Sequence, residues 1–485
     1  MYAPEQRSRG FLPDYRTIWR WHFYAGLFCL PFVVILSISG ALYLFKAEIE
    51  SWIDQPYDQL QLSGHPASAE AQAKAALAAF PGSTLQSYEL PQSENQAIRV
   101  LVNNKGVAER VYLHPESLAV LNTVTEDSRL MRRLFRLHGE LWMGNQGSML
   151  VELAASWTII MVLTGLVLWW PRGEGKLAGV LYPRFGRGDR IFWRDIHSVT
   201  GMWISGFTLI LLLTGLPWAK FWGDYFKTVR RLTGTAVVQQ DWTNGATSSA
   251  VQPESGGGTG GEHSGHGSAN RPMRSPNATP LDLSALDRVV NTVKPLNLPA
   301  PVLIAPPGSG KWSGGGGTGG GGNSGWTAKS MTANRPYRVD LVVEGDTGTI
   351  KSRKDFSDKH VIDKVVGTGT ALHEGRLFGW PNQLLGLLTA LGLVTLSVSS
   401  VVLWWRRRES RTLGAPARMI SRPVSTGLLL VIVLLGLYLP LFGVSLIGVL
   451  LAEFLFLRRV PSLRDWLGLT PPAARNSEAT LGVRT

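Results

Sequence analysis

The chain has 485 residues, a formal net charge of +13 and 45% hydrophobic residues, room enough for several domains. Its apolar residues gather in long runs, which excludes a single soluble core and points to a membrane protein; the arginines flank those runs, so the charge reports membrane topology and no nucleic acid is implied. The single cysteine, Cys29, lies inside an apolar run, which excludes an internal disulfide, an iron–sulfur cluster and a Cys-x-x-Cys-His haem attachment.

In chain order, residues 1–46 form a cytoplasmic tail and a first span at about Phe23–Phe45, an uncleaved anchor since no small-residue cleavage pattern follows it. Residues 47–137 form a first insert. It opens with an Ala-rich helix, Ala67–Phe80, followed by strand-like runs Thr84–Leu90, Ala97–Val102, Ala108–Leu113 and Leu118–Thr123. Residues 138–218 carry the second and third spans, at about Met149–Trp170 and Val199–Trp218. Residues 219–372 form a second insert, with a helix at Leu281–Val293 and strands at Ala300–Ala305, Trp326–Met331, Tyr337–Val343 and Thr349–Arg353. Gly/Ser-rich tracts at about 254–270 and 308–325 interrupt it. Gly256–Gly261 matches G-x-G-x-x-G in name only, with no strand before it, and Gly308-Ser309-Gly310-Lys311 lacks the first P-loop glycine. Residues 373–410 hold the fourth span, about Gln383–Trp405, and residues 411–485 a hydrophobic pair and tail. The pair, Thr426–Leu439 and Leu441–Leu457, reads as two spans sharing Pro440, with a re-entrant hairpin as the alternative.

Basic groups precede the first span (Arg7, Arg9, Arg16, Arg20), separate the second from the third (Arg172, Lys176, Arg184, Arg187, Arg190, Arg194), and follow the fourth (Arg406, Arg407, Arg408, Arg411, Arg418, Arg422) and the last (Arg458, Arg459). Six spans put all four groups on one side, which is then cytoplasmic, and both inserts in the periplasm.

The chain repeats itself. Trp19-Arg20-Trp21-His22 opens the first span and Trp193-Arg194-Asp195-Ile196-His197 the third; eighteen residues beyond each histidine stands a glycine, Gly40 or Gly215, after Ser or Thr. Leu137-His138-Gly139-Glu140 precedes the second span and Leu372-His373-Glu374-Gly375 the fourth, and thirty-one residues after each histidine comes Trp169-Trp170 or Trp404-Trp405. Matched spacings indicate duplication of a helix–insert–helix unit, with both halves in the same orientation.

Four of the nine histidines occupy these repeat positions. Ionisable residues at membrane depth are costly and functional, and imidazole is a good axial ligand for haem iron. Ligands to one iron must lie on the same side of the bilayer. The allowed pairs are therefore His22 with His197 and His138 with His373, which predicts two b-type haems, one near each face. With no nucleotide or flavin motif visible, electrons would come from a separate cytoplasmic donor. Arg132, Arg133, Arg136 and Arg376 flank the second pair, where they could meet haem propionates or act only as interfacial anchors. His263 and His266 fall in a Gly-rich loop, and His65, His114 and His360 read as surface residues.

On Trp193-Arg194-Asp195-Ile196-His197, Leu137-His138-Gly139-Glu140-Leu141-Trp142, Leu372-His373-Glu374, Trp169-Trp170-Pro171-Arg172 and Trp404-Trp405-Arg406-Arg407, the chain resembles the PepSY-associated transmembrane-helix family over about residues 15–410. The resemblance implies an inner-membrane, all-α transmembrane bundle of about six helices with two periplasmic α+β PepSY-like inserts. It also implies a reductase that uses b-type haem on a ferric siderophore or other ferric chelate, releasing ferrous iron; it does not fix the chelator. The Gly-rich tracts and the C-terminal hydrophobic pair depart from the simplest family plan. A siderophore or solute permease without redox activity is the competing reading, since parallel repeats also occur in transporters; the near absence of midplane charge counts against it.

Overall fold

The computed structural model describes residues 12–171, 177–235, 281–309, 325–408, 412–416 and 425–469. The tract at 254–270 with His263 and His266, most of that at 308–325, and the basic residues Arg7, Arg9, Arg172, Lys176, Arg411, Arg418 and Arg422 lie outside the described residues.

Long apolar runs form the helices α1 (Tyr15–Leu44), then α2 (Lys46–Asp54) and α3 (Ala69–Ala79) follow, then strands β1 (Thr84–Glu89), β2 (Ile98–Asn104), β3 (Val107–Leu113) and β4 (Val120–Thr125). Next come α4 (Leu130–Glu140), α5 (Gly144–Trp169), α6 (Asp189–Gly215), α7 (Lys220–Leu232) and α8 (Ser284–Val293). Strands β5 (Val302–Ala305), β6 (Trp326–Ser330), β7 (Val339–Val343) and β8 (Ile350–Asp355) precede α9 (Val361–His373), α10 (Trp380–Arg407), α11 (Thr426–Tyr438), α12 (Pro440–Ala452) and α13 (Pro461–Trp466). The chain divides into two units: Met1–Phe45, Leu134–Ala236 and His373–Thr485 make a membrane unit, and Lys46–Arg133 and Val237–Leu372 make the other.

In the membrane unit, α1 packs on α5 and α10, and α6 packs on the same two helices, so α1 and α6 face each other diagonally across a four-helix bundle. Asp14 caps α1, its carboxylate accepting from the Thr17 N–H at 3.1 Å. Trp169 and Trp404, at matching repeat positions, donate their indole N–H to the Val180 and Leu413 carbonyls of the loops that follow. The buried carboxylate of Asp195, in the Trp-Arg-Asp-Ile-His run, accepts from Arg184 at 2.7 and 2.9 Å and so ties the loop before α6 to that helix. The second insert expected from residue 219 onward begins later: α7 belongs to the membrane unit. Its first N–H groups, on Phe221 and Trp222, each donate at 3.0 Å to Glu152 of α5, which accounts for a buried carboxylate within an apolar helix.

Six spans were expected; among the described residues five helices are long and apolar enough to cross a membrane, the fifth being α12 together with the π-helical turn Glu453–Leu457 that extends it. The exception is α11, whose 13 residues rise only about 20 Å against about 30 Å of hydrocarbon. Helices α11 and α12 form a hairpin in which Gly443 meets the Gly436 backbone too closely to admit a Cβ. Near the start of α1, Arg20 donates to the carbonyls of Pro416 and of Gly468, which follows α13. The tip of the hairpin lies beside Trp222, which donates to the Tyr438 carbonyl at 2.9 Å, and beside Trp157, midway along α5, which donates to Ser445 at 3.0 Å.

In the other unit, each half packs one helix, α3 or α8, against four strands, within a few residues of the expected positions. The strands join into one antiparallel eight-stranded sheet, in the order β4-β3-β2-β1-β5-β6-β7-β8. The seam is the β1–β5 pairing, Tyr88 opposite Ile304 and Glu89 opposite Leu303. Apolar residues of α3 and α8, among them Ala73, Ala76, Leu286, Val289 and Val293, pack with Val100, Val102, Ile304, Ala328 and Leu341 in one core. Leu286 is fully buried there. Leu286→Ala is expected to cost about 2–5 kcal/mol through lost transfer energy and a residual cavity, read as a lower denaturation midpoint of the purified protein.

Alternation along β3 turns Arg110 away from that core. It pairs with Glu89 at 2.7 Å and Glu126 at 3.0 Å. Burial would raise the Glu126 carboxyl, but Arg110 and Arg129 outweigh it and hold it down at about 2, below its ordinary 4.5. A depressed folded value stabilises the fold fully above about pH 4.5 and less as pH falls toward 2. We expect Glu126→Gln to lower stability at pH 7 and to flatten its decline across that acid window, checked by denaturation curves at several pH values.

Candidate functional site

The bundle brings the repeat histidines together as two pairs. At the end where α1 and α6 begin, the rings of His22 and His197 have centroids 6.3 Å apart at an interplanar angle of 86°. Toward the other end, His138 of α4 and His373 of α9 lie 6.2 Å apart at 80°. His138 also contacts Ser39 of α1, which puts the two pairs about 26 Å apart along that helix. Two metal–nitrogen bonds of about 2.0–2.1 Å, with the half-width of each ring, separate the ring centres of two imidazoles on one metal by about 6.2–6.4 Å. Both pairs have that separation.

The ring nitrogens are sorted by their surroundings. Each Nδ1 meets a hydroxyl on a helix of its own half: His22 with Thr164 at 3.3 Å, His138 with Ser39 at 3.1 Å, His197 with Ser399 at 3.1 Å and His373 with Thr214 at 3.1 Å. His22 Nδ1 also donates to the Met161 carbonyl at 3.0 Å. A nitrogen that faces a carbonyl, or a hydroxyl whose proton is already given to its own helix, must carry the proton. The Nε2 atoms, the usual other ligating position of a histidine, are then proton-free acceptors. Burial, reinforced by the neighbouring His373, pushes His138 down to about 4, and burial also lowers His373, so this pair is neutral at pH 7.

Glycines admit the rings. A Cβ on Gly40 would stand 3.0 Å from His138 Cε1, one on Gly165 would stand 3.0 Å from His22 Cε1, and one on Gly215 would stand 3.4 Å from His373 Cε1. Gly40 and Gly215 were visible in the repeat. Thr164-Gly165 was not singled out, although it has the same Ser/Thr-Gly form; at its repeat position stands Ser399-Ser400.

The flanking arginines have protein partners. Arg132 pairs with Asp127 at 3.4 Å, Arg136 with Glu140 at 3.6 Å, and Arg376 donates to the Leu44 carbonyl at 3.0 Å, where Gln383 also donates at 3.1 Å to close the end of α1. His114 and His360 accept backbone N–H groups in local turns, at Ser117 and Ile362. Among the described residues no group of three or more His, Cys, Asp or Glu side chains could hold a bare metal ion.

A bundle of long apolar helices that presents two facing imidazole pairs, joined to an α+β unit, defines a multi-pass membrane protein with paired histidines inside its helical part. The chain matches the family described as the PepSY-associated TM region over residues 19–407, and it belongs to that family. No curated protein matches it.

Proposed function

We propose that the membrane unit is a transmembrane electron conduit that reduces a ferric siderophore or another ferric chelate and releases ferrous iron. The observation that carries this reading is the doubled imidazole gap, 6.3 Å and 6.2 Å between ring centres. A haem would bring four nitrogens of its own and ask only two ligands of the protein, which suits sites where the described residues offer two histidines and no cluster of three or more ligands. His22 with His197 would hold one haem b and His138 with His373 a second. When bound, each haem supplies a one-electron carrier, and two of them give electrons a path along the bundle. The rings' own task is to present an unprotonated Nε2 from opposite halves of the repeat. Of Arg132 and Arg136, the latter has the longer ion pair, 3.6 Å, and the more exposed side chain, 38%; we retain it as the propionate partner.

We read the protein as lying in the bacterial inner membrane with the His22/His197 end cytoplasmic. The basic groups support this: whether α11 and α12 make two crossings or a re-entrant hairpin, all four groups fall on one side, and the contact of Arg20 with Gly468 agrees with either. A separate cytoplasmic donor would then reduce the first site, and the chelate would be reduced at the His138/His373 end.

The test is the visible spectrum of the purified protein before and after dithionite, with haem quantified per chain. Two haems per chain with low-spin b-type bands, reoxidised by a ferric chelate, support the reading. A colourless protein that still restores chelate uptake to cells would replace it with the permease reading.

A further inference from the structure

The four hydroxyls beside the histidines bond back to their own helices, as Thr158, Thr389 and Ser397 do, but they also face a ring nitrogen. A hydroxyl has one proton to give. Ser39 gives its proton to the Ile35 carbonyl at 2.7 Å, Thr164 to Ile160 at 2.8 Å, Thr214 to Ile210 at 2.8 Å and Ser399 to Leu396 at 3.0 Å. This back-bonding to the helix leaves only oxygen lone pairs to face the histidine. The hydroxyl must therefore accept from Nδ1 at each ring. At His22 the Met161 carbonyl accepts as well. An acceptor on Nδ1 fixes the tautomer and, because it is held on a neighbouring helix, the direction of the N–H and the rotation of the ring.

We propose that Ser39, Thr164, Thr214 and Ser399 are positioning residues that hold each histidine in the Nδ1–H form, aim its Nε2 across the bundle and raise its basicity toward a bound metal. The inference rests on the haem reading above and assigns the redox tuning of each site to its own hydroxyls: Ser39 and Thr214 at the His138/His373 pair, Thr164 and Ser399 at the His22/His197 pair. A donor N–H engaged by acceptors makes the ring a stronger electron donor, which favours ferric over ferrous iron. Loss of an acceptor should raise the midpoint potential. At His22, whose carbonyl contact of 3.0 Å is shorter than its hydroxyl contact of 3.3 Å, the carbonyl carries more of the load. Thr164 should therefore matter less than Ser39.

The experiment is a spectroelectrochemical titration of full-length protein, with haem affinity measured by competition against apo-myoglobin, for Ser39→Ala, Thr214→Ala, Thr164→Ala and Ser399→Ala. Rescue is tested with Ser39→Thr and Thr214→Ser. We expect each alanine variant to raise the potential of its own haem alone and to weaken that haem's binding by about 10- to 100-fold, with the hydroxyl-keeping variants near wild type. Wild type with no haem overturns the functional reading and this inference with it. Wild type carrying two haems, with alanine variants matching it in potential and affinity, overturns the positioning role alone. So does an equal shift of both haems, or a failure of the conservative variants to rescue.

Discussion

Replacing His138 with alanine is expected to halve the haem content, from two per chain to one, while the haem that remains keeps the spectrum and potential of the His22/His197 site. The reason is distance. The two pairs stand about 26 Å apart along α1 and share no ligand, no hydroxyl and no glycine. Alanine at position 138 removes one of two axial donors and leaves His373 facing space, while the α1–α5 and α6–α10 packing is untouched. His22→Ala should give the mirror result. Pyridine haemochrome assay of both variants and of the double variant checks this, with the double variant haem-free. Loss of both haems from either single variant, or of neither, would sink the assignment of one iron to each pair.

The second large effect is expected at the glycines, and the structure ranks it. An added methyl on Gly40 or Gly165 would stand 3.0 Å from a histidine Cε1, a distance at which the ring has to give way by a few tenths of an ångström. Metal–ligand distances tolerate only about 0.2 Å, and the ring is already held on its Nδ1 side. We therefore expect Gly40→Ala to weaken haem binding at the His138/His373 pair by at least about tenfold, and Gly165→Ala to do the same at the other pair, since packed interiors transmit such shifts. Gly215→Ala, whose methyl would rest at an ordinary 3.4 Å, should stay near wild type. Titration of apo-protein with hemin gives all three affinities. Equal behaviour at positions 40 and 215 would refute the packing argument, whatever the cofactor.

The order of helices and strands was legible because hydropathy and alternation are local properties. A run such as Met149–Trp170 announces a helix by its own composition, and Ala97–Val102 a strand by its period. The partners of the histidines were legible for a different reason. Duplication places equivalent residues at equivalent depths, so the pairing of His22 with His197 follows from spacing alone. The shortness of α11 was written in the chain as Pro440, but whether the hydrophobic pair crosses or turns back was not. Nor was the packing of α11 on α12 at Gly436 and Gly443, or the contact of Arg20 with Gly468, residues far apart in sequence.

By itself the sequence determined which segments are apolar, which alternate, and which histidines correspond. Only the tertiary structure decided that the strands of the two inserts join through β1 and β5, and that every ring turns its Nδ1 to a hydroxyl. Strand pairing between Tyr88 and Ile304, and the direction of an imidazole, are settled by backbone donors and acceptors that all residues share. Composition and period carry no record of which of those groups will meet once distant segments are brought side by side.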